Sequence, residues 1–398
     1  MNPSSPDILE ERKGSIASGG RASEICCEKN SVSGSVSQRA CVYSGARVVL
    51  NPITDAVHIV HGPIGCASYT WDIRGSLTSG GSQYRNSFST DLLERDIIFG
   101  GAEKLARAVR EAVERYNPKL IFIYATCIVG VIGDDVDAVC REAEKEYKIR
   151  VIAVKSAGFS GSKSLGYRLA CEAIMKVITP RIVQSLPRGI NILGDFNLAG
   201  EIWIIEGYFK KLGIPVQAVI TGDASYERLL KAPNAALNVV QCAGSMTYLA
   251  KLMEREFEIP YIKVSFFGKD DTSTALLRTA EGLKDEAAVK RAKAFITAEE
   301  SALTPFDAEY RPQLEGKRAA IYVGGGFKAI SLVRQFNSMG IDSVVVGTQT
   351  GQAEDYAILS NLAASDAVIL DDANPAELEA FIKEKKADIL VGGVKERP

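Results

Sequence analysis

Strand-length apolar runs that alternate with amphipathic helical stretches limit this chain to few architectures. KLIFIYATC (119–127) is one such run. A Gly-containing turn follows it, then the helical pattern DDVDAVCREAEKEY, whose early acids suit the positive end of a helix dipole. RVIAVKSAG (150–158) repeats the run, and the loop FSGSKS leads into LGYRLACEAIMKVI. Strand, helix, strand, helix predicts a parallel sheet with right-handed crossovers. After a break at PRIVQSLPRG (180–189), INILGDF, QAVITG, ALNVVQC and YIKVSFFG continue the alternation. A charged, Ala-rich stretch (276–300) predicts linking helices, and AAIYV, DSVVVGT, DAVILDD and ADILVGG supply a third set. The expected fold class is α/β: three Rossmann-like lobes with mainly parallel sheets flanked by helices.

Composition sets the boundaries. Residues 1–40, rich in Ser, Gly and charge, predict an extension that is flexible or bound by a partner. Residues 41–185 form a first lobe, 186–313 a second lobe with linking helices, and 314–398 a third. VGGVKERP follows an apparent strand directly. A parallel strand of this kind is normally covered by a helix, so the third lobe is expected to be incomplete or completed by a partner. With 47 basic and 49 acidic side chains, the net charge of −2 offers no electrostatic ground for nucleic acid or an anionic membrane. No apolar run reaches the roughly 18 residues of a membrane span, and MNPSSPDILEERKGS does not read as a secretory signal. A cytoplasmic protein is expected.

In a reducing compartment clustered thiols more often bind metal or do redox chemistry than form disulfides. The chain has eight cysteines, only two histidines (His58 and His61) and no CxxC, which argues against a zinc finger or ribbon. Cys26 and Cys27 read as spare thiols in the extension. Cys140 and Cys171 lie on apolar helical stripes, as small core residues do. Cys127 and Cys242 end apolar strands, where open α/β sheets place ligands. Cys66 closes the turn HGPIGC, and Cys41 opens the small-residue segment VYSGA. Any one of these could be a buried hydrophobe. All four together, flanked by Gly and free amide N–H groups, favour an iron–sulfur cluster. Three of them fall near the first lobe, one short of the four thiols a cubane prefers, so a fourth would come from another chain. GGGFK (324–328) after AAIYV raises a dinucleotide-dependent oxidoreductase as a rival, but the GxGxxG spacing is missing. His58 and His61 beside HGP are expected to shape the loop through hydrogen bonds.

VHIVHGPIGCASYTWDIRG, YATCIVGVIGDDVDAVC, SAGFSGSKSLGYRLACEAIM and LGDFNLAGEIW together resemble the nitrogenase α-subunit superfamily, from Cys41 to the last residue. Within it they are most similar to the branch that serves as scaffold for maturing the iron–molybdenum cofactor. That resemblance implies a paralogous β-like partner subunit in an α2β2 heterotetramer. It implies that Cys41, Cys66 and Cys127 bind a [4Fe–4S] cluster at the subunit interface, with the fourth cysteine supplied by the partner. Cys242, in NVVQCAGSM, corresponds to the single cysteine anchoring an eight-iron, carbide-containing precursor. An upstream donor would deliver that precursor, the nitrogenase iron protein would act as reductase and bring molybdenum and homocitrate, and the product would pass to nitrogenase. Arg74 matches an arginine near the cofactor cavity. Lys163 falls where the catalytic subunit has a glutamine, and Lys328 lies near a basic cofactor-channel residue. No catalytic residue is implied.

Two departures bear on the alternative, a catalytic α subunit of nitrogenase or of a nitrogenase-like reductase. Where that subunit has a histidine after SLG, this chain has Tyr167, and no histidine follows His61. Anchoring by a single cysteine also suits a scaffold, because the finished cluster must leave.

Overall fold

The structure is a computed structural model that describes residues 10–18, 21, 24–25, 40–70, 86–179, 181–182 and 185–393. The elements run as the alternation predicts. A short edge strand β1 (Ile16–Ser18) comes first. In the first lobe α1 (Val42–Leu50) precedes β2 (Val57–His61), α2 (Ile64–Thr70), β3 (Ser87–Ser89), α3 (Glu94–Phe99) and α4 (Ala102–Tyr116). There follow β4 (Leu120–Ala125), α5 (Cys127–Ile132), α6 (Val136–Tyr147), β5 (Arg150–Lys155) and α7 (Lys163–Ile178). The second lobe holds β6 (Ile190–Asp195), α8 (Glu201–Lys211), β7 (Val216–Thr221), α9 (Tyr226–Lys231), β8 (Leu237–Val240), α10 (Ala243–Phe257) and β9 (Tyr261–Lys263). Two helices, α11 (Lys269–Gly282) and α12 (Glu286–Leu314), lead to β10 (Arg318–Val323), α13 (Gly326–Ser338), β11 (Asp342–Thr348), α14 (Ala353–Leu362), β12 (Val368–Asp371), α15 (Pro375–Glu384) and β13 (Ile389–Val391).

The three sheets have the orders β3-β2-β4-β5, β7-β6-β8-β9 and β1-β12-β11-β10-β13. Every pairing is parallel except that of β1 with β12. The central strands β4, β6 and β8 are buried along their whole length, so they read as continuous apolar runs rather than alternating ones. No helix among the described residues is long and apolar enough to cross a membrane.

The chain packs as two compact units, one of residues 40–263 with 282–284 and one joining the N-terminal segment to 264–281 and the rest of the C-terminal part. In the first, one core runs through both lobes, from Tyr43, Val48 and Tyr124 through Ala170 and Ile174 to Leu193, Met246 and Leu249, and a second, around Ile59, Leu105 and Ile121, lies within the first lobe. In the second, the linking helices pack with the third sheet. The N-terminal segment does too: Arg12 donates to Glu377 and to the carbonyls of Asp371 and Asp372, holding β1 along the open edge of β12. An edge strand presents unpaired N–H and C=O groups, and this segment satisfies them within the same chain.

Candidate metal centre

Three cysteines from different elements meet at the carboxyl ends of the first sheet. Cys127 is the first residue of α5, immediately past β4 and the N-cap Thr126. Cys66 lies in the first turn of α2, beyond β2. Cys41 is the N-cap of α1, and its backbone pairs with Ser162 at the start of α7. Gly158 marks the meeting point of Cys41 and Cys127. A Cβ on it would stand 3.1 Å from Cys127 Sγ, 3.2 Å from Cys41 Cβ and 3.6 Å from Cys41 Sγ. Its N–H donates to Cys127 Sγ at 3.1 Å. Burial pushes the Cys66 thiol pKa up, and the nearby Cys127 and Cys41 push it further, while a hydrogen bond with Thr126 opposes them. Cys66 therefore lies within electrostatic reach of both other thiols.

Local sequence explains why they converge. Helices α1 and α7 cross at two glycines. A Cβ at Gly45 would lie 2.2 Å from the Lys163 carbonyl, and one at Gly166 would lie 2.1 Å from the Val42 carbonyl. Only bare backbone permits so close a crossing, and it is this crossing that brings Cys41 against Ser162. A second clamp fixes the turns of Cys66 and Cys127. Buried His61, just before the Cys66 turn, meets Thr90 Oγ1 at 3.0 Å and Asp134 Oδ2 at 3.1 Å, and Asp134 lies just past α5. Thr126 Oγ1 donates to the His61 carbonyl at 2.9 Å. Burial lowers the His61 pKa, with Asp134 opposing. Both histidines shape loops, as expected; His58 bonds Tyr124 and the Ile53 carbonyl.

Among the described residues no three His, Cys, Asp or Glu side chains converge as they would on a single ion. A cubane makes a different demand, because each thiolate binds its own iron and the thiols must surround a volume. Two thiols beside a glycine, one already accepting an N–H, with Cys66 in electrostatic reach of both and all three at the amino-terminal ends of helices, fit that demand with one corner left over. Large apolar side chains surround them in the open: Val131 is 71 % exposed, Phe159 66 % and Ile64 58 %. Cys140 and Cys171 are buried in the core, and burial raises both thiol pKa values to about 12.

Cys242 stands on another sheet, as the N-cap of α10 beyond β8. Gly194, with φ +95°, lies against it; a Cβ there would be 2.7 Å from Cys242 Cβ. Close by in sequence, Gln241 Oε1 and, past β6, both amide atoms of the buried Asn197 lack hydrogen-bond partners. Such unpaired buried groups are costly unless a water or ligand meets them.

Lys163 is the first residue of α7, with its Nζ 5.9 Å from the Tyr167 ring centroid, and so adjoins the Cys41–Ser162 pairing. Lys328, in the other unit, is exposed on α13 with its Nζ over Phe267. In GGGFK, Gly325 caps α13 and Gly326 packs against Asp355. Arg74, Cys26 and Cys27 lie outside the described residues. Gly45, Gly158, Gly166, Thr126 and Asp134 were not legible as site residues; the signal available was the place of Gly45 and Thr126 within four residues of a cysteine and of Gly166 in the first turn of α7, and Gly158 and Asp134 had neither.

Comparison with known proteins shows the family and the fold. A family model described as nitrogenase component 1 type oxidoreductase matches residues 41–398. The nitrogenase iron-molybdenum cofactor biosynthesis protein NifE of Clostridium pasteurianum is 61% identical over 98% of this chain and 87% of its own length. The NifE of Methanosarcina barkeri is 49% identical over 98% of this chain and 88% of its own length. A solved structure of nitrogenase Cp1 at pH 5 superposes with a TM-score of 0.88 at 33% identity, covering 98% of this chain and 88% of the other.

Proposed function

We propose that this chain, which belongs to the nitrogenase component 1 family and to its NifE branch, is the scaffold subunit on which the iron–molybdenum cofactor is matured. One observation carries the reading: three thiols gather at one corner-sharing volume, while a fourth reactive-site thiol, Cys242, stands alone on a different sheet.

The first set suits a resident group. Cys41, Cys66 and Cys127 would hold three corners of a [4Fe–4S] cluster, and a NifN-type paralogous partner would supply the fourth cysteine in an α2β2 heterotetramer. The exposed Ile64, Val131 and Phe159 are the apolar rim such a partner would cover. When bound, the cluster would supply one-electron transfer. Gly158 N–H would keep charge on Cys127 Sγ stabilised, and the Gly45–Gly166 crossing would hold Cys41 in reach.

Cys242 suits cargo. A single thiolate at a helix start would anchor the eight-iron precursor, and the unpaired amides of Asn197 and Gln241 offer polar contacts beside it. Lys163 and Arg74 would meet the negative charge of homocitrate, and Lys328 a charged path to the site. The iron protein would act as reductase and bring molybdenum and homocitrate.

The test is anaerobic co-purification with the NifN-type partner, followed by iron counting and addition of precursor, molybdate, homocitrate and iron protein. The expected result is a cluster present before precursor is added, and molybdenum uptake afterwards. A preparation that reduced nitrogenase substrates at nitrogenase rates, without releasing cofactor, would identify a catalytic subunit instead.

A further inference from the structure

Six residues beyond Cys41, α1 carries a cation in the core of the first lobe. Arg47 is 3 % exposed. Its Nη2 donates to Ser87 Oγ at 2.7 Å, and its guanidinium carbon lies 5.2 Å from the centroid of the Tyr124 ring. Nε and Nη1 are buried without a hydrogen-bond partner. The groups packed around it (Ser87, Tyr124 and, through Tyr124, His58) carry no negative charge. Burial first, and then the Arg47 charge, lowers the His58 pKa to about 3, so the imidazole beside it stays neutral. Among the described residues no carboxylate meets this guanidinium, and a buried cation without a counter-ion is among the least favourable arrangements a core can hold.

Position explains it. At 1.5 Å of rise per residue, Arg47 lies on the order of 9 Å along α1 from Cys41. Tyr124, on which it stacks, is three residues before Cys127. The charge thus sits on the wholly buried helix that Cys41 caps, against the strand that leads into Cys127.

We infer that Arg47 is a built-in counter-charge for the interface cluster, without a carboxylate partner among the described residues, so that its field acts on thiolate-bound iron. This rests on the cluster reading above. Arg47 touches no iron; it is a positioning residue of charge. Reduction adds one electron to the cluster without moving a proton or ligand, so a fixed cation nearby favours the reduced form.

The experiment compares wild type, Arg47→Met and Arg47→Lys in the complex purified anaerobically with its partner. Iron content is measured first, then the cluster is titrated with dithionite and mediators while followed by paramagnetic resonance. The iron-free complexes are melted in parallel. Arg47→Met should lower the reduced-to-oxidised ratio at a fixed potential at least tenfold, about 59 mV for a one-electron couple. Its iron-free form should melt no lower than wild type, since an unpaired buried charge has gone. Arg47→Lys should restore most of the ratio. Loss of the cluster from Arg47→Met with melting unimpaired would support the inference in stronger form. An unchanged ratio, a lowered iron-free melting temperature, or a Lys variant as displaced as Met would overturn it. A wild-type complex without the cluster would overturn the underlying reading instead, and the iron count shows this before any titration.

Discussion

The three-thiol site of the first lobe and the lone Cys242 of the second sit at equivalent places, the carboxyl ends of parallel strands where a helix begins. Yet they are built in opposite ways. The first is tied together from α1, α2, α5 and α7 by two glycine contacts and a buried His61–Asp134 clamp. The second has one thiol, one close glycine and buried amides with nothing to bond. A multiply held group stays; a group held at one point can be exchanged or released. The difference teaches that one α/β end can serve as a permanent mount or a temporary one according to how many elements contribute ligands.

Replacing Cys41, Cys66 or Cys127 by Ala should break the comparison most. Each change should remove most of the interface-cluster iron and loosen the heterodimer, because metal binding free energy is also assembly free energy. If all three variants kept full iron and full assembly, the first site would be no mount at all.

Cys242→Ala should leave the interface cluster's spectrum intact and weaken precursor retention by about tenfold, of the size reported for loss of an outer-shell or ligand contact. An unchanged iron count after precursor loading would sink the assignment. Lys163→Ala should act in the same direction more weakly, lowering molybdenum retention while the melting temperature stays put; equal uptake would make Lys163 an ordinary helix-end lysine.

Gly166→Ala sharpens the contrast through geometry alone. Alanine is favoured over glycine in a helix by about 1 kcal/mol, but its Cβ would meet the Val42 carbonyl at 2.1 Å and the Ala46 nitrogen at 2.7 Å. These obstacles are backbone and cannot swing aside, so crowding of about 1–3 kcal/mol should win. Chemical denaturation should show the loss, and the interface cluster should suffer while the Cys242 site is spared.

The smallest effect near neutral pH is acidic. Both histidines belong to the first lobe and none to the second. His58 has a folded pKa of about 3 against an ordinary 6.5, mainly through burial. Below pH 6.5 the unfolded chain takes up a proton that the folded one refuses until about pH 3. Stability should therefore fall as pH drops through that window, by up to about 1.4 kcal/mol per pH unit and under about 1 kcal/mol between pH 6.5 and 6. His58→Gln should flatten this limb; a limb unchanged in that variant would assign it to other groups.

Much of this was legible beforehand. Long buried runs such as LIFIYA and INILGD announce central parallel strands, because burial on both faces leaves a continuous apolar signature that local sequence carries. The three-residue strands β1 and β3 gave no such sign, since each takes its strand geometry from the sheet edge it joins. Cys41 read as a loop residue after an unstructured segment, yet it caps a helix whose nine residues are all buried. Nothing in VYSGARVVL says that α7, more than 110 residues later, will press on it.

The sequence by itself determined the architecture and the cast of cysteines, because strand and helix periods are properties of neighbouring residues. Only the tertiary structure decided which thiols meet. That depends on Gly45 against Gly166, on Gly158 between Cys41 and Cys127, and on His61 reaching Asp134. Each is a contact between segments far apart in the chain, fixed by close packing of backbone and buried side chains, and no local pattern encodes such a distance.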